Sequence, residues 1–304
     1  MYKGMYTRVL ALTVLGSVLA APANATDSRV TALSGNVGIT DDTDFTRFAS
    51  ETGQMGDHAW LNYDGLTLGG AMSWGSNAVM LNQGANGAAI GYYNSSGDTG
   101  YNASFAYDGN TEGMTFGGGY AMADRSDGLG NMAFGGQVML VDDSLGIMAN
   151  AISRTLTDDS VTSWGGSAAY SDAGIGLGGG YQWYGARFGD ASAITMGSGL
   201  GVDLPDGGDM AIGLNLLDVN LAGEFMFNDW FGLRGSVTTS MVLDNLTDEM
   251  ELGVNMGSGF GASLVSEAGV IDLVIDPSQV LGGPFFLTGN TAGPAIALSA
   301  RFSI

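Results

Sequence analysis

The last ten residues alternate between apolar and polar side chains. One set of alternate positions carries mostly large apolar residues and the other carries small or polar ones: Ile296, Leu298, Ala300, Phe302 and Ile304 against Ala297, Ser299, Arg301 and Ser303. Because successive side chains of a β-strand point to opposite faces, this period of two predicts a strand that lies between an apolar phase and water.

The same alternation recurs along most of the chain, with turn-forming residues between the alternating stretches. The stretch 209–228 changes phase near Leu217, so it is either one bulged strand or two strands. The spacing is that of a meander of hairpins. The predicted strands are 58–64, 66–74, 77–83, 87–95, 100–108, 113–123, 132–141, 145–154, 161–170, 174–185, 191–204, 209–228, 231–243, 250–264 and 295–304.

Strand length distinguishes a membrane barrel from a soluble β-sandwich, whose strands also alternate. Soluble strands average about 5–6 residues, whereas a membrane strand needs about 9–11, which is the length of many strands predicted here. Aromatic residues also stand near strand ends on the apolar face, where membrane barrels carry girdles at both headgroup levels. The sequence therefore predicts an all-β, transmembrane, antiparallel up-and-down barrel. Its candidate girdle residues are Trp74, Tyr107, Tyr120, Trp164, Tyr170, Tyr181 and Trp183.

The N-terminus contains the three parts of a secretory signal peptide. Lys3 and Arg8 precede an apolar run over 9–21, and Pro22-Ala-Asn-Ala25 supplies a small-residue cleavage site. The run is too short for a membrane anchor, which needs about 20 apolar residues. We expect residues 1–25 to be a signal peptide that is cleaved after Ala25.

The mature chain is acidic and has no lysine. Removal of residues 1–25 leaves seven arginines against 31 acidic residues, a net charge of −24, because Lys3 is the only lysine. This charge repels nucleic acid and attracts cations. The sequence has no cysteine, which excludes disulfides and thiolate metal sites. Its 52 glycines fit strands with one small-residue face better than they fit disorder, because 45% of the residues are hydrophobic.

Together with the signal peptide and the girdle, the alternating strands give the region from Trp60 to Ile304 a generic likeness to one class of proteins. It resembles a porin-type outer-membrane β-barrel of Gram-negative bacteria, in architecture rather than in any diagnostic motif. The resemblance implies outer-membrane lipid and the barrel-assembly machinery as partners, with homo-oligomerisation left open and no nucleic acid. The closing strand, with Ile296, Leu298, Phe302 and Ile304, departs from the usual pattern because such barrels end in Phe or Trp.

Two stretches lack the alternating pattern. Residues 26–57 are polar and poorly periodic, so we expect either a periplasmic extension or a segment folded into the lumen. Residues 276–294 contain prolines and predict an extended loop. The barrel itself is assigned to residues 58–304.

The inward face of the barrel determines what it can transport. At a little under about 20 residues per strand and turn, the mature chain accommodates about 14 strands, with 12 or 16 as alternatives. Gly, Ala, Ser and Thr dominate the inward positions, and such short side chains leave a wide barrel wet unless a segment plugs it. The charged residues on the inward phase are candidates for the pore lining: Arg154, Asp203, Glu224, Arg234 and Arg301.

The sequence offers little for catalysis. His58 is the only histidine, and the nucleophile elbow G-x-S-x-G is absent, so a Ser–His pair of the outer-membrane lipase kind is not expected. Gly174-Ile-Gly-Leu-Gly-Gly179 matches a dinucleotide fingerprint, but it lies inside a strand and opens no helix. The acidic clusters at 41–44, 206–209 and 248–251 contain oxygen ligands for Ca²⁺ but coincide with predicted turns. We expect no enzyme, no metal site and no cofactor.

Two functions from different classes follow from these features. The first is a channel for passive diffusion of ions and small hydrophilic solutes, with a preference for cations because of the acidic turns. The second is a non-conducting barrel with a structural, surface or adhesion role, whose lumen is closed by residues 27–57 or by the 276–294 loop.

Overall fold

The computed structural model describes residues 36–40, 44–63, 68–84, 86–141, 144–208, 210–244, 251–275 and 296–303. The predicted signal peptide, the predicted 276–294 loop and Ile304 lie outside these ranges. Within them, no helix is long and apolar enough to cross a membrane.

The described chain forms a closed barrel of sixteen antiparallel strands, in which each strand pairs with the next and the last pairs with the first. The strands are β1 (His58–Tyr63), β2 (Leu68–Trp74), β3 (Asn77–Gln83), β4 (Gly87–Ser96), β5 (Thr99–Asp108), β6 (Gly113–Asp124), β7 (Leu129–Val141), β8 (Ser144–Leu156), β9 (Val161–Ser171), β10 (Gly174–Arg187), β11 (Ser192–Pro205), β12 (Ala211–Asn228), β13 (Phe231–Asp244), β14 (Glu251–Ser266), β15 (Gly269–Ile275) and β16 (Ile296–Ser303).

The barrel is closed by the pairing of β16 with β1, which the alternation at the chain end predicts. The register runs from His58 opposite Ser303 to Tyr63 opposite Leu298. Closure is required in lipid because each unpaired backbone group there costs several kcal/mol.

Sixteen strands is the upper of the alternatives that the sequence allows. Within the stretch 209–228, residues 211–228 form one long strand, β12, with register shifts near Leu217 and near its end. The strand that the alternation does not predict is β15, whose side chains are apolar on both faces except at Asp272.

The inside and outside faces follow the predicted alternation. Leu200, Phe260 and Phe302 are exposed on the outer surface, whereas Arg234 is buried inside the barrel. Large exposed hydrophobic side chains cover the outside of nearly all the strands, which is the surface that a transmembrane barrel presents to lipid.

All seven candidate girdle residues are exposed on the outer surface. Tyr107 and Tyr170 stand near one end of the barrel, and Trp74, Tyr120, Trp164 and Trp183 stand toward the other, with Tyr181 paired to Trp164 across β9 and β10.

The two ends of the barrel differ in the connections between their strands. The terminal rim is the end where β1 begins and β16 ends, and its turns are 75–76, 97–98, 125–128, 157–160, 188–191, 229–230 and 267–268. The loop rim is the opposite end, where the connections include the longest one, 276–295.

Val237 and Thr238 test the assignment of faces at mid-height of β13. Val237 is exposed outside and its neighbour Thr238 faces the lumen. We expect Val237→Arg to lower the free energy of unfolding by about 2–4 kcal/mol, the cost of Arg on the lipid face near the midplane. Thr238→Arg is the matched control and should cost clearly less. Urea unfolding in lipid vesicles measures both, and an equal or reversed order would contradict the assignment.

Candidate functional site

The N-terminal part of the described chain lies inside the barrel. We call residues 36–40 and 44–57 the lumen segment. It contains two short 3-10 helices, Asp44–Thr46 and Ala49–Gln54, and it packs against inward-facing residues of strands from β1 to β12.

The first contact is an aromatic cluster over β1 and β4. The buried Phe45 ring meets Tyr93 edge to face, with 4.9 Å between centroids, and lies 6.2 Å from the ring of Trp60. Trp60 therefore points into the lumen and contributes to its small apolar core.

The second contact is a polar network on β7, β8 and the turn after β6. Arg154 Nη2 lies 2.9 Å from Asp44 Oδ2 and donates to Asn131 Oδ1 at 3.1 Å, while the guanidinium stacks over the Phe48 ring at 4.9 Å. Asn131 Nδ2 donates to Glu51 Oε1 at 2.6 Å, and Arg125 Nη2 donates to both oxygens of Glu51 at 2.9 and 3.0 Å. Two carboxylates of the lumen segment are thus bound by two arginines of the wall.

The third contact fixes the beginning of the segment against β10 to β12. Arg187 Nε donates to the carbonyl oxygen of Gly38 at 2.8 Å. Asn36 Nδ2 donates to Asn220 Oδ1 at 3.1 Å, and its own Oδ1 accepts from the Gly38 N–H at 2.9 Å.

A cavity of about 540 Å³ remains beside the lumen segment. We call it the side cavity. It lies between the segment and the wall formed by β12 to β16 and β1, and its lining includes Glu224, Arg234, Asp272, Ser299 and Arg301 from the wall. One buried water needs only about 10–15 Å³ of such volume, so the side cavity has room for many waters.

The wall of the side cavity contains a charged group formed across neighbouring strands. Glu224 of β12 faces Arg234 of β13 in register, with 3.4 Å between Oε2 and Nε. Arg234 Nη2 donates to Asp272 Oδ1 of β15 at 2.8 Å, and the same oxygen accepts from Ser263 Oγ of β14 at 2.8 Å. Arg234 is therefore buried between two carboxylates, as a cation at this depth requires.

The candidate pore-lining residues lie in three different surroundings. Glu224, Arg234 and Arg301 line the side cavity. Arg154 points inward but is covered by Asp44 and Phe48 of the lumen segment. Asp203 lies near the loop rim end of β11 and is half-buried.

Sequence patterns alone do not identify Asp44, Glu51, Asp272 or Trp60 as lumen residues. Asp44 and Glu51 belong to a stretch without periodicity, and Asp272 lies in the one strand that the alternation does not predict. Asp272 is a single charged residue inside an otherwise apolar run, and that feature of the sequence could have identified it as a lumen residue.

The arginines of the described barrel are concentrated at the terminal rim. Arg125 is in a turn there, and the others lie within four residues of a strand end at that rim: Arg154, Arg187, Arg234 and Arg301. The connections at the loop rim contain several acidic residues and no Lys or Arg. The loop rim therefore has a negative potential without a compensating cation.

His58 begins β1 and is half-buried, with its ring 5.8 Å from that of Trp60. Its backbone N–H donates to Ser73 Oγ, whose hydroxyl in turn donates to the carbonyl oxygen of Gly56, so the Ser73 hydroxyl is engaged by backbone rather than by the imidazole. In the described part of the chain, no group of three or more metal-ligating side chains comes together.

No protein-family model and no curated protein sequence matches the chain. Among solved structures, it is similar to BamA from Haemophilus ducreyi lacking POTRA domains 1–3, with 10% identity, a TM-score of 0.41, and coverage of 81% of this chain and 69% of that one. It is also similar to CdiB from Acinetobacter baumannii, with 11% identity, a TM-score of 0.38, and coverage of 82% of this chain and 60% of that one.

A third similar structure is the KdgM porin in complex with disordered oligogalacturonate. The identity is 9% and the TM-score 0.29, and the alignment covers 81% of this chain and 99% of the porin. All three neighbours are outer-membrane β-barrels, and the similarity is one of barrel architecture.

Removal of Asp272 should destabilise the barrel because it takes one partner from a buried arginine. We expect Asp272→Ala to lower the free energy of unfolding by about 3 kcal/mol, as when one member of a buried ion pair is removed. Asp158→Ala, in the exposed turn after β8, is the control and should change it by less than about 0.5 kcal/mol. Heat-dependent unfolding on a denaturing gel compares the two, and equal stabilities would contradict the ion-pair assignment.

Proposed function

We propose that this protein is a porin-like channel of the bacterial outer membrane that passes small hydrophilic solutes by passive diffusion and prefers cations. Export through the signal peptide 1–25, cleavage after Ala25 and insertion by the barrel-assembly machinery belong to the same proposal.

The observation that carries the proposal is the side cavity. At the level of the lumen segment, about 540 Å³ remains along the β12–β16 wall. The inward positions nearer the loop rim include small residues and side-chain amides, such as Gly69, Asn82 and Gln137. Short polar linings support a water-filled interior.

Cation preference is supported by the charges that line the side cavity. Five carboxylates and two arginines line it, and Arg154, Arg125 and Arg187 pair with three of these carboxylates from outside the lining. The lining carboxylates are Asp44, Glu51, Asp190, Glu224 and Asp272, and the lining arginines are Arg234 and Arg301. The acidic loop rim adds a negative potential at the entrance, which raises the local concentration of cations. Added salt weakens this effect, because the Debye length is about 10 Å at 0.1 M.

A non-conducting structural barrel is the second candidate, and the lumen segment is the observation that favours it. The segment contacts inward-facing residues of strands from β1 to β12, and a barrel whose side cavity were also closed would not conduct. An enzyme is not proposed. His58 is the one histidine of the chain, and the neighbouring Ser73 hydroxyl donates to the carbonyl oxygen of Gly56 rather than to the imidazole.

Electrical recording in a planar lipid bilayer tests the proposal. Purified mature protein should give stepwise currents, and the reversal potential under a KCl gradient should show preference for K⁺ over Cl⁻, more strongly at low salt. Anion preference would contradict the cation claim, and complete silence would favour the structural candidate.

Glu224→Gln should reduce the cation preference without blocking the current. One unit charge at about 10 Å in water contributes about 0.4 kcal/mol, so its removal should lower the ratio of cation to anion permeability about twofold. Asp158→Asn, at the same rim but outside the side cavity, is the matched control and should shift the ratio much less. Equal shifts in the two variants would mean that the side cavity does not determine selectivity.

A further inference from the structure

We propose that the lumen segment is a fixed constriction, which stays in place while the channel conducts and sets the upper size of the solutes that pass. This inference rests on the proposed channel function and assigns its size limit to residues 36–40 and 44–57 rather than to the barrel wall.

Glycines of the wall and of the segment allow close contact between the two. A Cβ placed on Gly100 of β5 would collide with the backbone of Ala49 and Ser50. A Cβ on Gly38 would lie 2.6 Å from Ala193 Cβ, and a Cβ on Gly53 would lie 2.7 Å from Ser95 Oγ. At Gly100 and Gly38 the segment and the wall therefore approach more closely than a residue with a Cβ permits, whereas the atom nearest to Gly53 belongs to the Ser95 side chain.

The segment is also held electrostatically on several strands at once. The Arg154 side chain is 2% exposed and its partner Asp44 is 8% exposed. If the segment left the lumen, Arg154 would lose its carboxylate, and the buried Phe45 and Phe48 would enter water. Each of these changes is unfavourable, so the seated position is the stable one.

The part of the barrel's cross-section that stays open to solutes is consequently the part of the lumen that the segment does not occupy. Its contacts run from β1 through β12, and the side cavity follows the opposite wall from β12 to β16. An empty barrel of sixteen strands would contain a wide aqueous channel. The narrow part of the path is thus bounded on one side by Asp44, Phe45, Glu51 and Met55 of the segment.

An engineered disulfide tests whether the segment stays in place. The natural chain has no cysteine, so Gly53→Cys with Ser95→Cys introduces the only pair. Ser95 Oγ lies 2.7 Å from the position of a Cβ at residue 53, which is close enough for a disulfide after small adjustment. We expect the oxidised and reduced forms of this variant to show the same single-channel conductance in a planar bilayer. A current that disappears on oxidation and returns on reduction would overturn the proposal, because the segment would then have to move for conduction.

A second variant tests whether the segment sets the size limit. Asp44→Asn with Glu51→Gln removes both carboxylates that the wall arginines bind and preserves the side-chain shapes. We expect conductance to rise roughly twofold or more, because the vacated side of such a barrel is wide enough for water. Polyethylene glycols of graded size, which reduce the current only when they enter, should show a larger cut-off than in the unmodified protein. Adding Gly53→Cys and Ser95→Cys to this variant should restore the original conductance and cut-off when the pair is oxidised, and reduction should abolish the restoration.

The outcomes separate this inference from the proposed function. If the unmodified protein conducts and the double variant keeps its conductance and cut-off, the size-limit inference is wrong and the channel proposal stands. If the unmodified protein is silent but the double variant conducts, the passive channel is wrong and the segment's control of the lumen is supported. A folded barrel, shown by a heat-dependent shift on a denaturing gel, is required of every variant.

Discussion

Backbone hydrogen bonding in lipid is the constraint on which the rest of the structure depends. A strand in hydrocarbon needs a partner on both sides, so the sheet has to close, and it closes where β16 pairs with β1. Closure with alternating side chains then creates two different surfaces from one strand pattern. Large apolar residues cover the outside, and glycine, small polar residues and a few charges are left to face the enclosed space.

Inside the barrel, acidic side chains have a structural role because they bind the arginines of the wall. Every arginine of the described barrel lies near the terminal rim, and two of them, Arg125 and Arg154, bind carboxylates of the lumen segment. Arg234 instead binds Glu224 and Asp272 within the wall. The arginines near the terminal rim thus divide between two tasks: Arg125 and Arg154 hold the segment, and Arg234 shapes the charge of the side cavity. The loop rim remains acidic.

Period-two alternation was sufficient to predict the barrel, its closing strand and the inward direction of Arg234, because each of these follows from which face of a strand a residue occupies. It could not locate the lumen segment, whose contacts join residues far apart in the chain, such as Asn36 and Asn220, and depend on the completed barrel. The alternation also failed to predict β15. Both faces of this strand carry apolar residues, so no period of two is visible in Val270, Ile271, Leu273 and Val274.

The central claim is that a water-filled path follows the β12–β16 wall beside the lumen segment. Single cysteines at Val270, which lines the side cavity, and at its neighbour Ile271, exposed on the outer face, test it most directly. A small cationic thiol reagent, added to a conducting channel in a planar bilayer, should reduce the current through Val270→Cys and leave Ile271→Cys unchanged. An unaltered current through the Val270 variant after its cysteine has reacted, or equal block of both variants, would contradict the account.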